Sequence, residues 1–155
     1  MKKIVLVFVL VFADVLTTYA QNKEAARIKE FNLSKSVALS GYDPVAYFKQ
    51  SAAVQGKKEI NATIDGVIYY FSSQANKDAF LKIPSFYEPQ YGGWCAYAMG
   101  NSGEKVEVDP KTFKIIDNKL YLFYNAFFNN TLKDWNKNES KLKTNADVNW
   151  KKFYK

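Results

Sequence analysis

The sequence predicts an α+β domain in which a small antiparallel sheet, containing a hairpin, packs against two or three helices. Three observations support this: an Asp-Gly dipeptide between two strand-like segments, several short apolar segments late in the chain, and helical patterns kept apart from the strands. Strands and helices in separate stretches are typical of α+β domains. With 155 residues, the chain is long enough to bury a core of this kind.

The clearest local signal is the hairpin. Lys58–Ile64 and Val67–Phe71 read as strands, and Asp65-Gly66 lies between them. Asp-Gly is a preferred two-residue turn because both central positions need positive φ angles.

A helix is predicted directly after the hairpin. Ser72 and Ser73 can cap its first turn, and it extends to Lys82, shortly before Pro84. Helical spacing predicts an apolar face made of Ala75, Ala79 and Phe80.

The later part of the chain predicts three more strands and a helical tail. The turn Asp117-Asn118 separates the last two strands, and poor alternation in the last one predicts burial on both faces. The strands are Glu104–Asp109, Thr112–Ile116 and Lys119–Tyr124. The tail, Ala126–Tyr154, is predicted to be helical with an apolar stripe of Phe127, Leu132, Trp135, Leu142, Trp150 and Phe153.

The first twenty residues match the pattern of a secretory signal. Lys2 and Lys3 give a positive start, an uncharged apolar run spans Ile4–Ala13, and small residues precede a cleavage site after Ala20. Asp14 ends the run, whereas a spanning helix needs roughly 20 apolar residues. We therefore predict a bacterial chain exported to the periplasm or beyond, with no stable membrane span after cleavage.

The remaining chain divides into two predicted parts. Residues 21–36 are polar and predict a loosely helical N-terminal arm. The domain itself is predicted to occupy residues 37–155.

The charge distribution does not indicate a nucleic-acid partner. The formal net charge is +7, or +6 without the predicted signal, but lysines alternate with acids along the chain. The densest basic stretch, 133–155, also contains Asp134, Glu139 and Asp147. This pattern is typical of a solvated basic face.

The composition excludes several kinds of chemistry. The chain contains no histidine, which excludes Ser-His-Asp and Cys-His catalytic pairs, histidine zinc sites and histidine-ligated haem. Cys95 is the single cysteine, so no internal disulfide can form. The amino-acid composition does not identify any other cofactor.

Three segments together resemble the YHS domain family. They are GYDPVAYF (41–48), YYFSSQANKDAF (69–80) and YGGWCAYA (91–98). They are most similar to the exported bacterial branch of that family, and the resemblance covers about Ala38 to Trp150.

The resemblance also implies what this chain lacks. Metal-handling members of the wider superfamily carry cysteines in D-P-V-C-G-M and Y-F-C-S-x-x-C, and those cysteines bind transition metals. The corresponding positions here are Ala46, Ser72 and a position at or near Asn76. Since a thiolate or imidazole centre needs soft donors, the family's metal binding does not carry over through these residues.

Cys95 allows two interpretations. The exported branch centres on Y-G-G-x-C-A, and its selenoprotein members imply redox or soft-metal chemistry at this position. A reactive thiol needs exposure and a lowered pKa, and Gly92-Gly93 would leave backbone N–H groups free to stabilise a thiolate. The alternative is a small buried hydrophobe, because unpaired cysteine is among the most buried residue types.

Further ligand-binding candidates lie within these motifs. Two aspartates precede prolines, where they act either as turn residues or as carboxylate ligands. The tyrosines serve either as core aromatics or as the lining of a small-molecule pocket. The complete candidate set is Tyr42, Asp43, Tyr91, Trp94, Cys95 and Asp109.

Three functions remain open from the sequence. The first is an exported binding module of the YHS type that holds a small ligand or a metal near Cys95. The second is a thiol redox protein in which Cys95 works with an external partner, because the chain has no resolving cysteine. The third is a non-catalytic structural or accessory protein. A non-enzymatic role is favoured, since a hydrolase would lack its base.

Overall fold

The computed structural model describes residues 21–154. The predicted export signal, residues 1–20, lies outside the described residues. The helices are α1 (21–30), α2 (Pro44–Lys49), α3 (Gln74–Lys82), α4 (Pro84–Tyr87), α5 (Ala96–Asn101), α6 (Thr131–Lys137) and α7 (Glu139–Trp150). The strands are β1 (Leu33–Ser34), β2 (Val37–Ala38), β3 (Lys57–Ile64), β4 (Val67–Phe71), β5 (Asp109–Ile116), β6 (Lys119–Phe123), β7 (Asn125–Ala126) and β8 (Asn129–Asn130).

The predicted hairpin, β3–β4, forms one half of a four-stranded sheet with the order β1-β2-β4-β3. Asp65 and Gly66 adopt φ angles of 45° and 75°, as the two-residue turn requires. The β1–β2 and β3–β4 pairs are antiparallel, whereas β2 meets β4 in parallel at Val37 and Ile68. The predicted α+β class, with a hairpin-containing sheet packed against helices, is confirmed.

The strand β6 connects two hydrophobic cores. It pairs with β5 through the predicted Asp117-Asn118 turn, and its four apolar residues are buried. Leu120 and Leu122 pack with the first sheet, α2 and α3, whereas Tyr121 and Phe123 pack with α5, α6 and α7. Burial on both faces, predicted from the poor alternation, is confirmed.

The predicted strand Glu104–Asp109 is wrong over most of its length. Residues 104–108 have no regular structure, and β5 begins at Asp109. Their alternating charged and apolar residues mimic a strand. However, this segment does not pair with a neighbouring strand. The Val106 carbonyl instead accepts a single hydrogen bond from the Cys95 N–H at 2.9 Å.

The helix α3 forms as predicted, but its buried face is rotated. Ser73 supplies the cap by accepting a bond from the Asn76 N–H at 3.2 Å. Ala75 is exposed, whereas Asn76 and Phe80 are buried. The difference arises because Asn76 is drawn inwards by a polar partner, described below.

The helical tail is interrupted at its start. Phe127 and Phe128 were predicted to be helical, with Phe127 in the apolar stripe. They lie instead at the tip of the β7–β8 hairpin, where their side chains are 91% and 112% exposed. The tail becomes helical only at Thr131, because the Asn130 side chain caps α6 by accepting from the Leu132 N–H at 3.1 Å. Trp135 and Leu142 are buried as predicted.

Residues 21–36, expected to form a polar arm, pack against the rest of the chain. They comprise α1, β1 and the turn into β2, and they bury Arg27 and Glu30. Phe31 contacts Trp150 and Tyr154 at ring-centroid distances of 6.0 and 5.3 Å. No helix within residues 21–154 is both long and apolar enough to cross a bilayer.

Candidate functional site

An open cavity of about 370 Å³ lies between the turn that precedes Cys95 and the C-terminal helix. We call it the aromatic cleft. Its principal lining residues come from three separate segments of the chain: Phe31, Glu88, Tyr91, Asp147, Trp150 and Tyr154. A cavity of this size, with aromatic walls and a few polar groups, has the properties of a small-molecule site.

The Tyr91–Gly93 turn shapes the floor of the cleft. All three residues have left-handed backbone angles, with φ values of 56°, 60° and 88°. A Cβ on Gly92 would lie only 2.8 Å from the Phe31 ring and 3.0 Å from the Trp150 ring. Glycine is therefore required for the two aromatic rings to approach the turn.

Tyr91 joins this turn to α7. Its hydroxyl donates a hydrogen bond to the Asp147 carboxylate at 2.9 Å. Burial and the nearby Asp147 charge raise the pKa of Tyr91 well above the ordinary tyrosine value, so this hydroxyl stays protonated and donates.

Behind the cleft wall, a buried network fixes Glu88. Arg27 is only 4% exposed and donates to both oxygens of the Glu88 carboxylate, and the Tyr69 hydroxyl donates to the same carboxylate at 2.8 Å. Burial alone would lower the pKa of Arg27, but the hydrogen bond and the charge of Glu88, together with Tyr69 and Tyr154, outweigh burial and raise that pKa. The arrangement holds an ionised carboxylate at the cleft surface.

Arg27 is not fully satisfied by these contacts. Its Nε atom is buried and has no hydrogen-bond partner among residues 21–154. Its guanidinium also lies 4.6 Å from the centroid of the Phe31 ring. A buried unpartnered donor is unusual in a folded chain.

The charged residues that line the cleft balance, because Glu88 and Asp147 are matched by Lys119 and Lys151. Arg27 offsets Glu88, and Asp147 remains as a second carboxylate beside the Trp150 and Tyr154 rings. Asp147, Lys119 and Lys151 are all exposed, and of these three Asp147 is held in place by the hydrogen bond from Tyr91.

Asp43 is the centre of a closed hydrogen-bond network that includes Ser72 and Asn76. This aspartate is fully buried and accepts bonds from the Val45 N–H, the Ser72 N–H, the Ser72 hydroxyl and the Asn76 amide at 2.6–2.9 Å. Ser72 and Asn76, two of the positions that the resemblance matches to the family's cysteines, thus meet at the same carboxylate. Their donors are committed to a carboxylate and no soft ligand is present, so the residues do not fit a thiolate metal centre.

Cys95 faces the core and not a cavity. It is fully buried, its Sγ lies 3.4 Å from the Thr131 hydroxyl, and it accepts from the Tyr124 N–H at 3.4 Å. Of the two interpretations, the geometry favours the small buried residue.

The other predicted site residues are structural. Trp94 donates its indole N–H to the Glu30 carbonyl at 2.7 Å, and Tyr42 packs against the first core. Asp109 accepts from the Lys111 N–H and the Thr112 hydroxyl, both at 3.0 Å, which makes it a turn residue. Within residues 21–154, no group of three or more cysteine, aspartate and glutamate side chains is placed to hold a metal ion.

No family model, curated protein or solved structure matches this chain.

The six predicted site residues do not line one common cavity in the structure. Of the six predicted candidates, only Tyr91 lines the aromatic cleft. Trp94 and Cys95 directly follow the Tyr91–Gly93 turn in the sequence, but Cys95 is buried in the core, as is Asp43.

Several cleft residues carried little sequence signal. Glu88, Asp147 and Trp150 look like ordinary surface or core residues when read along the chain. Arg27 is different, because it is the only arginine in a lysine-rich chain. Arginine is the residue that suits a buried, bidentate pair with a carboxylate, and its single occurrence was a usable signal.

Proposed function

We propose that this chain is a non-catalytic, exported binding module of the YHS type, and that it binds a small molecule in the aromatic cleft. One observation carries the proposal. Two carboxylates from distant segments, Glu88 and Asp147, are each oriented by a tyrosine hydroxyl at the wall of an aromatic-lined cavity.

The lining also defines the class of ligand. Aromatic faces attract cations, and the Asp147 carboxylate is held by Tyr91 and forms no ion pair within residues 21–154. The ligand is therefore a small organic cation with an apolar body, such as an aromatic amine. The ammonium group lies against Asp147 and the apolar body against Trp150 and Tyr154.

Membership of the YHS family rests on the sequence resemblance and on the convergence of Ser72 and Asn76 at Asp43. In this chain a hydrogen-bond network replaces the metal-binding cysteines of other members. We therefore assign this chain a ligand-binding function in the aromatic cleft in place of the metal binding of other members. Export is part of the proposal, and N-terminal sequencing of secreted protein should begin at Gln21.

The thiol redox function loses support, since an attacking thiolate needs access that fully buried Cys95 lacks. One specific observation supports the alternative function as an accessory protein. Phe127 and Phe128 form an exposed aromatic tip that a protein partner could cover. If this second candidate function is correct, the chain binds a protein partner through this tip and needs no small-molecule ligand.

The test is an amide NMR titration of the mature protein with phenethylamine and its neutral counterpart 2-phenylethanol. We expect phenethylamine to shift the amides of Tyr91, Gly92 and Trp150 at millimolar concentrations, and the alcohol to bind more weakly. Asp147→Asn should weaken amine binding about fivefold. Asp78→Asn, an exposed carboxylate on α3 outside the cleft, is the matched control and should have no effect.

Two outcomes would contradict the proposal. If neither probe shifts the cleft amides, the cleft is not a binding site for this class of molecule. If the amine and the alcohol bind equally and Asp147→Asn changes nothing, the preference for a cation is wrong.

A further inference from the structure

A second cavity, of about 430 Å³, lies on the opposite face of β4 from the first core. Val67, Tyr69 and Phe71 point into the core and are buried, so the alternation of a strand directs Ile68 and Tyr70 outwards. Ile68 and Tyr70 line this cavity, which we call the basic groove. It shares no lining residue with the aromatic cleft.

Two lysines line the groove, one from the β1–β2 hairpin and one from the β3–β4 hairpin. Lys35 belongs to the β1–β2 turn and Lys58 to β3, on either side of β4. No aspartate or glutamate lines the groove, and neither lysine forms an ion pair with any residue between 21 and 154. Glu59 is adjacent to Lys58 in β3 but is not part of the lining.

Polar groups surround the apolar centre. The hydroxyls of Ser34 and Ser40 line the groove, as does the Gln55 amide, which donates to the Gly41 carbonyl at 3.1 Å. The groove therefore combines positive charge and hydrogen-bond donors around an apolar and aromatic floor.

Close backbone packing fixes the wall beside Tyr70. A Cβ on Gly56 would lie 2.6 Å from the Tyr70 backbone, so only glycine allows the chain just before β3 to approach β4 here. Gly41 has a φ angle of 82°, and a Cβ there would lie 3.2 Å from the Tyr70 ring. The two glycines therefore let the chain pass close to Tyr70, which lines the groove.

We infer that the basic groove binds a small organic anion. The ligand carries a carboxylate or phosphate group between Lys35 and Lys58 and an apolar or aromatic body over Ile68 and Tyr70. Charge complementarity selects this class, because the groove contains two unpaired ammonium groups and no acid. The site is separate from the proposed function, since its residues and the charge of its ligand both differ.

The experiment is an amide NMR titration of the mature protein with benzoate, phenyl phosphate and the neutral benzyl alcohol. We expect both anions to shift the amides of Gly41, Ile68 and Tyr70, and to do so more weakly at high salt. Whichever anion binds more tightly identifies the headgroup. The double variant Lys35→Gln/Lys58→Gln should bind about tenfold more weakly.

Controls separate this site from general attraction to a basic protein. The variant Lys133→Gln/Lys141→Gln removes two exposed charges elsewhere and should bind the anions as wild type does. Equal weakening by both double variants, equal binding of benzyl alcohol, or no shift at Ile68 and Tyr70 would each overturn the inference. Failure of the aromatic-cleft proposal would instead show at Trp150 with the amine probe, so the two results are independent.

Discussion

Tyr91 donates a hydrogen bond to Asp147 across 2.9 Å, although the two residues are 56 positions apart in the chain. Tyr91 stands on the left-handed turn before Cys95, and Asp147 lies in α7. The bond therefore connects the motif turn to the C-terminal helix and forms one wall of the aromatic cleft. Tyr121 packs against the Tyr91 ring at a centroid distance of 5.9 Å and holds it from the other side.

The variant Tyr91→Phe tests this connection. It removes the hydrogen bond and keeps the ring contact, so we expect the free energy of unfolding to fall by about 1 kcal/mol. Urea unfolding measures the change. Tyr97→Phe is the control, because the Tyr97 hydroxyl has no hydrogen-bond partner within residues 21–154. Equal stability of both variants would mean that the bond contributes nothing.

Alkaline pH should destabilise the protein through its buried tyrosines. Burial raises the pKa of Tyr47, Tyr69, Tyr91 and Tyr121 above the ordinary value of 10.0 in the folded state. In the unfolded chain these hydroxyls ionise near that ordinary value. Their contribution is thus complete below about pH 10 and is lost as the pH rises towards the folded values.

Two measurements report this effect: the dependence of the free energy of unfolding on pH, and the ultraviolet absorbance of ionised tyrosine. Each such tyrosine should lower the free energy of unfolding by about 1.4 kcal/mol per pH unit above its unfolded pKa. Absorbance at 295 nm should show part of the 11 tyrosines ionising only on unfolding. A native spectrum in which all tyrosines ionise together near pH 10 would contradict the prediction.

Asp43 should be far more important for stability than Asp109. Asp43→Ala leaves the donors of Val45, Ser72 and Asn76 without their buried acceptor, and we expect a loss of about 3–5 kcal/mol. Asp109→Ala removes a partly exposed turn and should cost about 1 kcal/mol. Thermal and urea unfolding compare the two. A cost for Asp43→Ala no larger than that for Asp109→Ala would contradict the network.

Cys95 should be unreactive in the native protein. Because its thiol is buried against Thr131 and Tyr124, alkylation should be negligible until denaturant is added. Ser102→Cys places a second thiol on an exposed position and should react at once, which provides the control. Rapid native labelling of Cys95 would restore the redox function as a candidate.

The β7–β8 turn should become more stable when its aromatic residues are replaced. Phe127 and Phe128 occupy left-handed positions, with φ angles of 50° and 63°, where Asn-Gly is preferred. We expect Phe127→Asn/Phe128→Gly to gain about 1–2 kcal/mol. Asn118→Gly, at a comparable position of the β5–β6 turn, should gain much less because asparagine already tolerates that conformation.

If the double variant is no more stable than the wild type, the turn is not strained. If it is more stable, the aromatic tip is retained at a cost to folding. Such a cost supports a contact with a partner, which is the second candidate function.

Local signals in the sequence predicted the elements whose conformation is set within a few residues. The Asp65-Gly66 and Asp117-Asn118 turns formed as expected, since positive φ angles are a property of those residue types. The pattern Glu104–Asp109 failed because a strand needs a partner, and alternation alone does not supply one. Phe127 was misassigned because helical spacing does not reveal a turn with unusual residues.

The sequence by itself determined the α+β class, the two tight turns, the start of α3 and the exclusion of histidine chemistry. Tertiary structure alone decided which polar residues meet. Arg27 and Glu88 are 61 positions apart, and Asp43 and Asn76 are 33 apart, so no local pattern links them. Whether Cys95 was reactive or buried depended on Thr131, 36 positions later. Burial and pairing depend on such distant contacts, whereas turns and caps depend on neighbours in the chain.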